Sequence, residues 1–188
     1  LSTRALESYV KEYSAECGKS FVLLRKDFTI NQPVLDVLKE FMYEEYDCIM
    51  FSVYIWNVEF VKKLIVEIKK LQPEALIGLG GPEVSFCAEK FLSENSAADF
   101  IICGEGEETF RETCETLAQS PALLQEENNS PKENNGIPKQ KLNLLSKIPG
   151  LCLKTNNSLA ADTSFANTAA AAIIYTPQRP LIKNLDTL

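Results

Sequence analysis

The sequence predicts an α/β fold with a doubly wound parallel sheet, and two glycine-rich corners are the strongest indication of it. The first corner is the run 79–83 (Leu-Gly-Gly-Pro-Glu), and the second is the run 103–107 (Cys-Gly-Glu-Gly-Glu). Each follows a short apolar stretch and precedes a stretch with helical periodicity, as strand-to-helix corners of an open parallel sheet do. Because glycine lets a ligand or another backbone approach closely, both corners are expected on the ligand-binding rim of the sheet.

The rest of the chain alternates between helical and strand periodicity. Helices are expected over 3–16, 34–43, 58–71 and about 107–118. Strands are expected near 20–24, 48–53, 75–79 and 99–103. The second of these strands is almost continuously apolar, which is typical of a strand that helices cover on both faces. Right-handed crossovers turn this order into a parallel sheet of the flavodoxin or Rossmann type, with helices on both faces.

The first strand of this fold is expected to be missing from the sequence. A doubly wound domain normally opens with a strand, whereas this chain opens with a helix and begins with Leu1 rather than Met. We therefore expect the sequence to start partway into a longer chain. The sheet would then be less stable, have an altered strand order, or gain a strand by exchange between two copies.

The composition changes after about residue 120, and we expect three parts. They are a ligand-binding α/β domain over 1–120, a flexible linker rich in Asn, Glu and Pro over 121–147, and a β-hairpin with a connector over 148–188. The two strands of the hairpin are expected at 150–154 and 171–176, where apolar residues return. The hairpin is thus expected to be appended to the sheet domain.

Charge, cysteine and histidine content exclude several classes of function. The net charge of −7 argues against nucleic acid as a partner, and no stretch reads as a membrane span or a signal peptide. The six cysteines form no C-x-x-C pair, so we expect reduced, structural thiols in a cytoplasmic protein. The chain has no histidine, which removes the commonest general base and metal ligand. We expect neither catalytic residues nor metal ligands in these 188 residues.

Four segments, taken in order, resemble a known family. They are 28–32 (Phe-Thr-Ile-Asn-Gln), 52–57 (Ser-Val-Tyr-Ile-Trp-Asn), 79–85 (Leu-Gly-Gly-Pro-Glu-Val-Ser) and 104–107 (Gly-Glu-Gly-Glu). Together they resemble the N-terminal cobalamin-binding-type domain of cobalamin-dependent radical SAM proteins. The segments 148–151 and 179–186 resemble the hairpin and the connector that lead to the radical SAM barrel in that family. The resemblance covers nearly the whole chain, apart from the loops at about 122–140 and 158–170.

The resemblance implies that this chain holds cobalamin across the carboxyl ends of its strands. The cofactor-binding residues that it implies are Thr29, Ser52, Tyr54, Trp56, Asn57, Gly80, Gly81, Pro82, Gly104, Glu105 and Gly106. The family's C-x-x-x-C-x-x-C motif is absent, so a 4Fe-4S cluster and S-adenosylmethionine would belong to a barrel beyond Leu188. That barrel, in the same parent chain, is the implied partner, and the parent chain rather than this fragment would be the radical SAM enzyme.

Two other classes of function stay open from the sequence. The same fold could act as a scaffold or interaction domain without a cofactor, which the absence of histidine and the bulky Trp56 would suit. Trp56 could equally serve to cover the sheet edge. An unrelated doubly wound module could bind flavin or a nucleotide, although no G-x-G-x-x-G motif opens a helix here. A visible absorption spectrum distinguishes a corrinoid, a flavin and a scaffold.

Overall fold

Five strands form one open sheet in the computed structural model, which describes residues 2–119, 137, 139–155 and 173–180. The strands are β1 (Cys48–Ser52), β2 (Leu76–Gly80), β3 (Phe100–Ile102), β4 (Leu151–Lys154) and β5 (Ile173–Tyr175). The helices are α1 (Ser2–Tyr13), α2 (Val34–Lys39), α3 (Val58–Leu71), α4 (Pro82–Ser85), α5 (Ala88–Glu94), α6 (Glu107–Ala118) and α7 (Lys139–Leu145).

The strand order follows the chain, from β1 at one edge to β5 at the other. Strands β1, β2 and β3 are parallel, and their register places Ser52 beside Gly80 and Gly80 beside Ile102. Strand β4 is antiparallel to both β3 and β5, so the predicted C-terminal hairpin continues the sheet. The predicted α/β fold with a parallel-dominated open sheet is therefore confirmed.

Helices cover both faces of the sheet, as the alternation of strand side chains requires. Helices α2, α3, α4 and α5 pack on one face, which we call the α3 face, against a cluster that includes Ile77 and Leu79. Helices α1, α6 and α7 pack on the other, the α6 face, against a cluster that includes Leu76 and Phe100. The strands are thus buried between two helical layers.

The strand expected near 20–24 does not form, so this prediction is wrong. Within this segment Phe21 makes a single bridge, to Cys17. The alternation that suggested a strand is real, because Phe21 and Leu23 are partly buried while Val22 and Leu24 are 76% and 54% exposed. A strand needs a neighbour for its backbone hydrogen bonds, and among the described residues this segment has no ladder partner.

The interval 121–147, whose composition predicts a flexible linker, includes helix α7 near its end. Leu142 and Leu145 of this helix are buried in the cluster on the α6 face. Their spacing of three residues puts them on one side of a helix, a signal that the polar run before them obscures. Residues 121–136 and 138 of the expected linker, residue 120 before it, the interval 156–172 and the connector at 181–188 lie outside the described residues.

Candidate functional site at the carboxyl rim

The carboxyl ends of β1, β2 and β3, with the corners that follow them, form what we call the carboxyl rim. Ser52 and Gly80 lie side by side at the rim, and neither carries a side chain longer than a hydroxymethyl group. A Cβ atom at Gly80 would lie 3.8 Å from the Cβ of Ile102, and one at Gly106 would lie 3.6 Å from Leu6. Both positions could therefore hold a methyl group, and glycine leaves this space open.

The start of α1 contributes a second hydroxyl to the rim. The Oγ atoms of Ser2 and Ser52 are 2.8 Å apart, so α1 begins next to the carboxyl end of β1. The sequence analysis did not include Ser2 among the site residues. No glycine-rich corner precedes Ser2 in the sequence, so the pattern that marked the other corners could not identify this position.

The corner after β1 exposes an aromatic pair. The rings of Tyr54 and Trp56 stack with centroids 4.6 Å apart and an interplanar angle of 5°, and Trp56 is 64% exposed. Asn57 holds this corner together, because its Oδ1 accepts from the Tyr54 N–H at 2.7 Å and its Nδ2 donates to the Ser52 carbonyl at 2.9 Å. The amide of Asn57 therefore shapes the corner, while Trp56 is exposed and Tyr54 is half-buried.

The two glycines after β2 have different structural roles. Gly81 has a φ of +111°, and a Cβ atom there would lie 2.4 Å from the carbonyl oxygen of Val53. Gly81 is thus required by the turn itself, and Pro82 then occupies the first position of α4. The Oγ of Ser85 lies 2.8 Å from the Gly81 carbonyl and 3.1 Å from the Ile102 carbonyl, so it bridges the second and third corners.

The corner after β3 is the most open of the three. Gly104 has a φ of +80° and no atom within 4 Å of the position of a Cβ, so only its backbone conformation favours glycine. Glu105 is half-buried and already interacts within the protein. Burial raises the pKa of the Cys103 thiol, which therefore stays protonated at neutral pH.

Thr29 follows the extended segment that precedes α2, on an exposed turn. Its N–H donates to Oε1 of Gln32 at 2.7 Å, and its carbonyl accepts from the Gln32 N–H at 3.2 Å. These hydrogen bonds stay within the turn, whereas those of Ser85 and Asn57 connect different parts of the rim. The structure thus groups the other site residues at the three corners and links Thr29 to Gln32 of its own turn.

An arginine that the sequence analysis treated only as part of a connector is fixed beside the rim. Arg179 is 12% exposed at its side chain, pairs with Glu108 at 2.7 Å and with Glu112, and donates from Nε to Thr109 Oγ1 at 3.0 Å. The chain that leaves β5 is therefore held against the first turns of α6. The four-residue spacing of Glu108 and Glu112 indicates one carboxylate face, but nothing local identifies its partner.

The described residues offer a binding surface rather than a metal cluster. Within 2–119, 137, 139–155 and 173–180, no group of three or more His, Cys, Asp or Glu side chains could hold a metal ion. Burial raises the pKa of Cys114 and of Cys152 to about 12, so these thiols are neutral as well.

None of the helices in the described residues has the length and apolar character needed to cross a bilayer.

An open sheet with small residues and a stacked aromatic pair at its carboxyl rim defines a ligand-binding α/β domain. The model of the B12 binding domain family matches residues 7–113, which is more than half of the chain, and the chain belongs to that family. The match includes all three corners of the rim. The resemblance to a cobalamin-binding-type domain is thereby confirmed.

Two curated relatives are methyltransferases. The 2-(S-pantetheinyl)-carbapenam-3-carboxylate methyltransferase of Streptantibioticus cattleyicolor is 34% identical over 76 residues, which are 40% of this chain and 11% of that protein. The cobalamin-dependent radical SAM methyltransferase TokK of Streptomyces tokunonensis is 33% identical over 72 residues, which are 38% of this chain and 11% of that protein. The matched region therefore spans about a tenth of the length of either relative.

Proposed function

We propose that this chain holds cobalamin at the carboxyl rim. The observation that carries the proposal is the small size of the residues at the carboxyl ends of the parallel strands, Ser52, Gly80 and Gly104, with no atom within 4 Å of a Cβ position at Gly104. A corrinoid combines a flat ring with a narrow nucleotide tail, and a rim without long side chains suits both parts. When bound, cobalamin supplies a cobalt centre that can carry and pass on a methyl group or take part in controlling a radical.

Some rim residues would contact the cofactor, and others would hold the three corners in shape. In this proposal Gly80, Gly104 and Gly106 border the nucleotide tail, and the Ser2 and Ser52 hydroxyls offer it hydrogen bonds. The stacked Tyr54–Trp56 pair, of which Trp56 is exposed, supplies a flat apolar surface for the ring. Asn57, Gly81 and Pro82 keep the corners in shape, and Thr29 and Glu105 are candidates for contacts at the periphery.

The cobalt ion would have no imidazole ligand from this chain, because the sequence contains no histidine. Cys103 is the cysteine nearest the rim in sequence, and its raised pKa keeps it a neutral thiol. The work of the rim residues is therefore to bind and orient the cofactor. A lower ligand would have to be water or come from outside these residues.

We further propose that the parent protein is a radical SAM enzyme, with its 4Fe-4S cluster and S-adenosylmethionine in a barrel after this domain. The name of one relative, a cobalamin-dependent radical SAM methyltransferase, supports this assignment. The position of Arg179 supports it too, because the chain after β5 is held at α6 beside the rim.

A titration with hydroxocobalamin, followed by visible absorption, tests the cofactor proposal. We expect saturable binding to the 188-residue chain and tighter binding when the downstream domain is attached. Gly104→Ala should weaken binding about tenfold, which corresponds to about 1.4 kcal/mol, because the new methyl group and the altered corner intrude on the cofactor.

Gly18→Ala is a closely matched control. Gly18 also has a φ of +80° and no atom within 4 Å of its Cβ position, but it lies in the turn after α1. Both substitutions carry the same backbone strain, so their effects on the urea midpoint should be similar. Only Gly104→Ala should weaken the binding of hydroxocobalamin. If neither the chain nor its longer form binds saturably, the scaffold function replaces this proposal. The absorption spectrum of a flavin in the purified protein would favour the flavin- or nucleotide-binding function instead.

A further inference from the structure

The third corner of the carboxyl rim, between β3 and α6, is held at both of its ends. At its start, the Cys103 N–H donates to the carbonyl of Gly150, the residue before β4, at 2.8 Å. At its end, the Gly106 carbonyl accepts from the Phe110 N–H of α6 at 2.7 Å. Between these hydrogen bonds, no atom lies within 4 Å of a Cβ position at Gly104. The position of the corner therefore depends on what fixes Gly150 and the first turns of α6.

Arg179 is fixed to the first two turns of α6. Its guanidinium pairs with Glu108 at 2.7 Å and with Glu112, and its Nε donates to Thr109 Oγ1 at 3.0 Å. The spacings of three and four residues place these partners on one side of the helix. The side chain of Arg179 is 12% exposed, and hydrogen bonds between charged groups are among the stronger ones in proteins. The chain after β5 is thus anchored to α6 at this arginine.

Thr109 connects Arg179 to Gly150. Its Oγ1, which accepts from the guanidinium, donates to the Pro149 carbonyl at 3.2 Å. Gly150 packs closely at this place, because a Cβ atom on it would lie 2.9 Å from Thr109 Oγ1 and 3.4 Å from the Cys103 carbonyl oxygen. A shift of Thr109 would therefore be transmitted to Gly150, and from there to Cys103.

The chain after β5 also contacts Gly150 directly. The Gly150 N–H donates to the Pro177 carbonyl, two residues before Arg179, at 2.8 Å. Next to it, the Leu151 N–H donates to Thr176 Oγ1 at 2.8 Å. Gly150 is thus held by α6 on one side and by residues 176–179 on the other.

We propose that Arg179 is a positioning residue for cobalamin, which fixes the third corner of the rim without touching the cofactor. This inference rests on the proposed cofactor site. The ion pairs on α6 anchor the guanidinium, and Thr109 and Gly150 transmit its position to the Cys103 N–H. Loss of Arg179 loosens the corner that borders the nucleotide tail, so the affinity for the cofactor falls although no contact with the cofactor is removed.

Amide hydrogen exchange of Arg179→Met tests the effect on the corner in the chain without cofactor. Methionine keeps an apolar stem but has neither the charge nor the donors. We expect exchange at Cys103 to become about fivefold faster, and exchange at Gly150 and Phe110 to become faster too. The Ile77 N–H, bonded to Asp99 at the other end of the sheet, is the reference. A substitution that only destabilised the whole fold would accelerate Cys103 and Ile77 alike, whereas the positioning role predicts a change in their ratio.

A titration with hydroxocobalamin measures the effect on the cofactor. Arg179→Met should raise the Kd about fivefold relative to the unmodified chain. Arg111→Met is the matched control, because Arg111 also pairs with carboxylates of α6, Glu115 at 2.8 Å and Glu112 at 3.7 Å. These ion pairs stay within the helix, so the control should leave both the Kd and the exchange at Cys103 unchanged.

Two substitutions at Thr109 separate its hydrogen bonds from its packing. Thr109 is fully buried, and valine keeps its shape but can neither accept from Arg179 nor donate to Pro149. Thr109→Val should therefore weaken the binding of hydroxocobalamin as Arg179→Met does. Thr109→Ser keeps the hydroxyl group and should retain most of the affinity.

An unchanged ratio of exchange at Cys103 and Ile77 in Arg179→Met would overturn the positioning role. An unchanged Kd in a variant whose corner had loosened would overturn it as well, because the corner would then lie outside the cofactor site. Failure of the proposed function gives a different result, since the unmodified chain itself would then show no saturable binding. The role of Arg179 toward cobalamin would be lost with it, even with faster exchange at Cys103.

Discussion

The two ends of the sheet use polar groups in opposite ways. At the amino end, Asp99 is 2% exposed and accepts hydrogen bonds from the Ile77 N–H at 2.7 Å and from Lys69 Nζ at 2.8 Å. Lys154, which is 4% exposed, donates to the Asn95 carbonyl at 2.8 Å. At the carboxyl rim, Ser52 and Gly80 carry little or no side chain, and Trp56 is 64% exposed.

This difference shows how the domain separates stability from binding. A buried charge is costly unless it is paired, so the buried charged groups at the amino end are needed for the stability of the fold. The rim carries small side chains and glycine turns, which leave the surface at the carboxyl ends of the strands accessible to a ligand. Substitutions at the amino end should therefore change the free energy of unfolding, and those at the rim should act mainly on binding, unless a turn requires the residue.

Asp99→Ala should cause the largest loss of stability. It leaves the Ile77 N–H without its acceptor and the Lys69 ammonium without its carboxylate partner, and removing one partner of a buried ion pair costs about 3–5 kcal/mol. Urea unfolding followed by circular dichroism measures this loss. Asp27→Ala is the control, because Asp27 also pairs with a cation, Arg25, but is exposed, and the substitution should leave the midpoint almost unchanged. Equal midpoints for the two variants would contradict a structural role for Asp99.

Gly81→Ala lies at the rim, but it should lower the free energy of unfolding as substitutions at the amino end do. Its φ of +111° and the 2.4 Å approach of a Cβ to the Val53 carbonyl oxygen both oppose a side chain. We expect a loss of about 1–3 kcal/mol in the free energy of unfolding. Gly80→Ala, one residue earlier, has room for its methyl group and should unfold like the unmodified chain. A similar loss in both variants would show that the whole corner, rather than Gly81, sets the strain.

Lys154 should make the stability of the domain depend on pH under alkaline conditions. Burial lowers the pKa of Lys154 to about 8, beside Asp99, which opposes the shift, and Lys69, which adds to it. An unfolded lysine titrates near 10.4, so between about pH 8 and pH 10 the unfolded chain holds the proton that the folded chain has lost. The contribution of Lys154 to the free energy of unfolding should therefore rise with pH, by about 1 kcal/mol per unit, while the buried thiols of Cys114 and Cys152 contribute in the opposite direction.

Lys154→Met isolates this effect, because methionine does not titrate. The difference in unfolding free energy between the original chain and the variant should grow in favour of the original chain from pH 8 to pH 10. Lys141, whose pKa burial also lowers, remains in both proteins and cancels in the difference. A difference that stays constant over this range would contradict the lowered pKa of Lys154.

The sequence by itself determined the three parallel strands, most of the helices and the three corners of the rim. Periodicity and turn chemistry are local properties, so the apolar run that became β1 and the glycines at 80–81 and 104–106 were sufficient. The family could be recognised from the same segments, because the corners carry the motif and occur in a set order.

Only the tertiary structure decided which local tendencies were realised. The side chains of residues 20–24 alternate between exposed and partly buried, as those of a strand would, but the segment forms no strand. A strand depends on a partner that can be far away in sequence. The pairing of β4 with β3, the meeting of Ser2 with Ser52 and the attachment of Arg179 to α6 join residues about 50 or more positions apart. Such contacts depend on how the layers pack, and no local pattern encodes them.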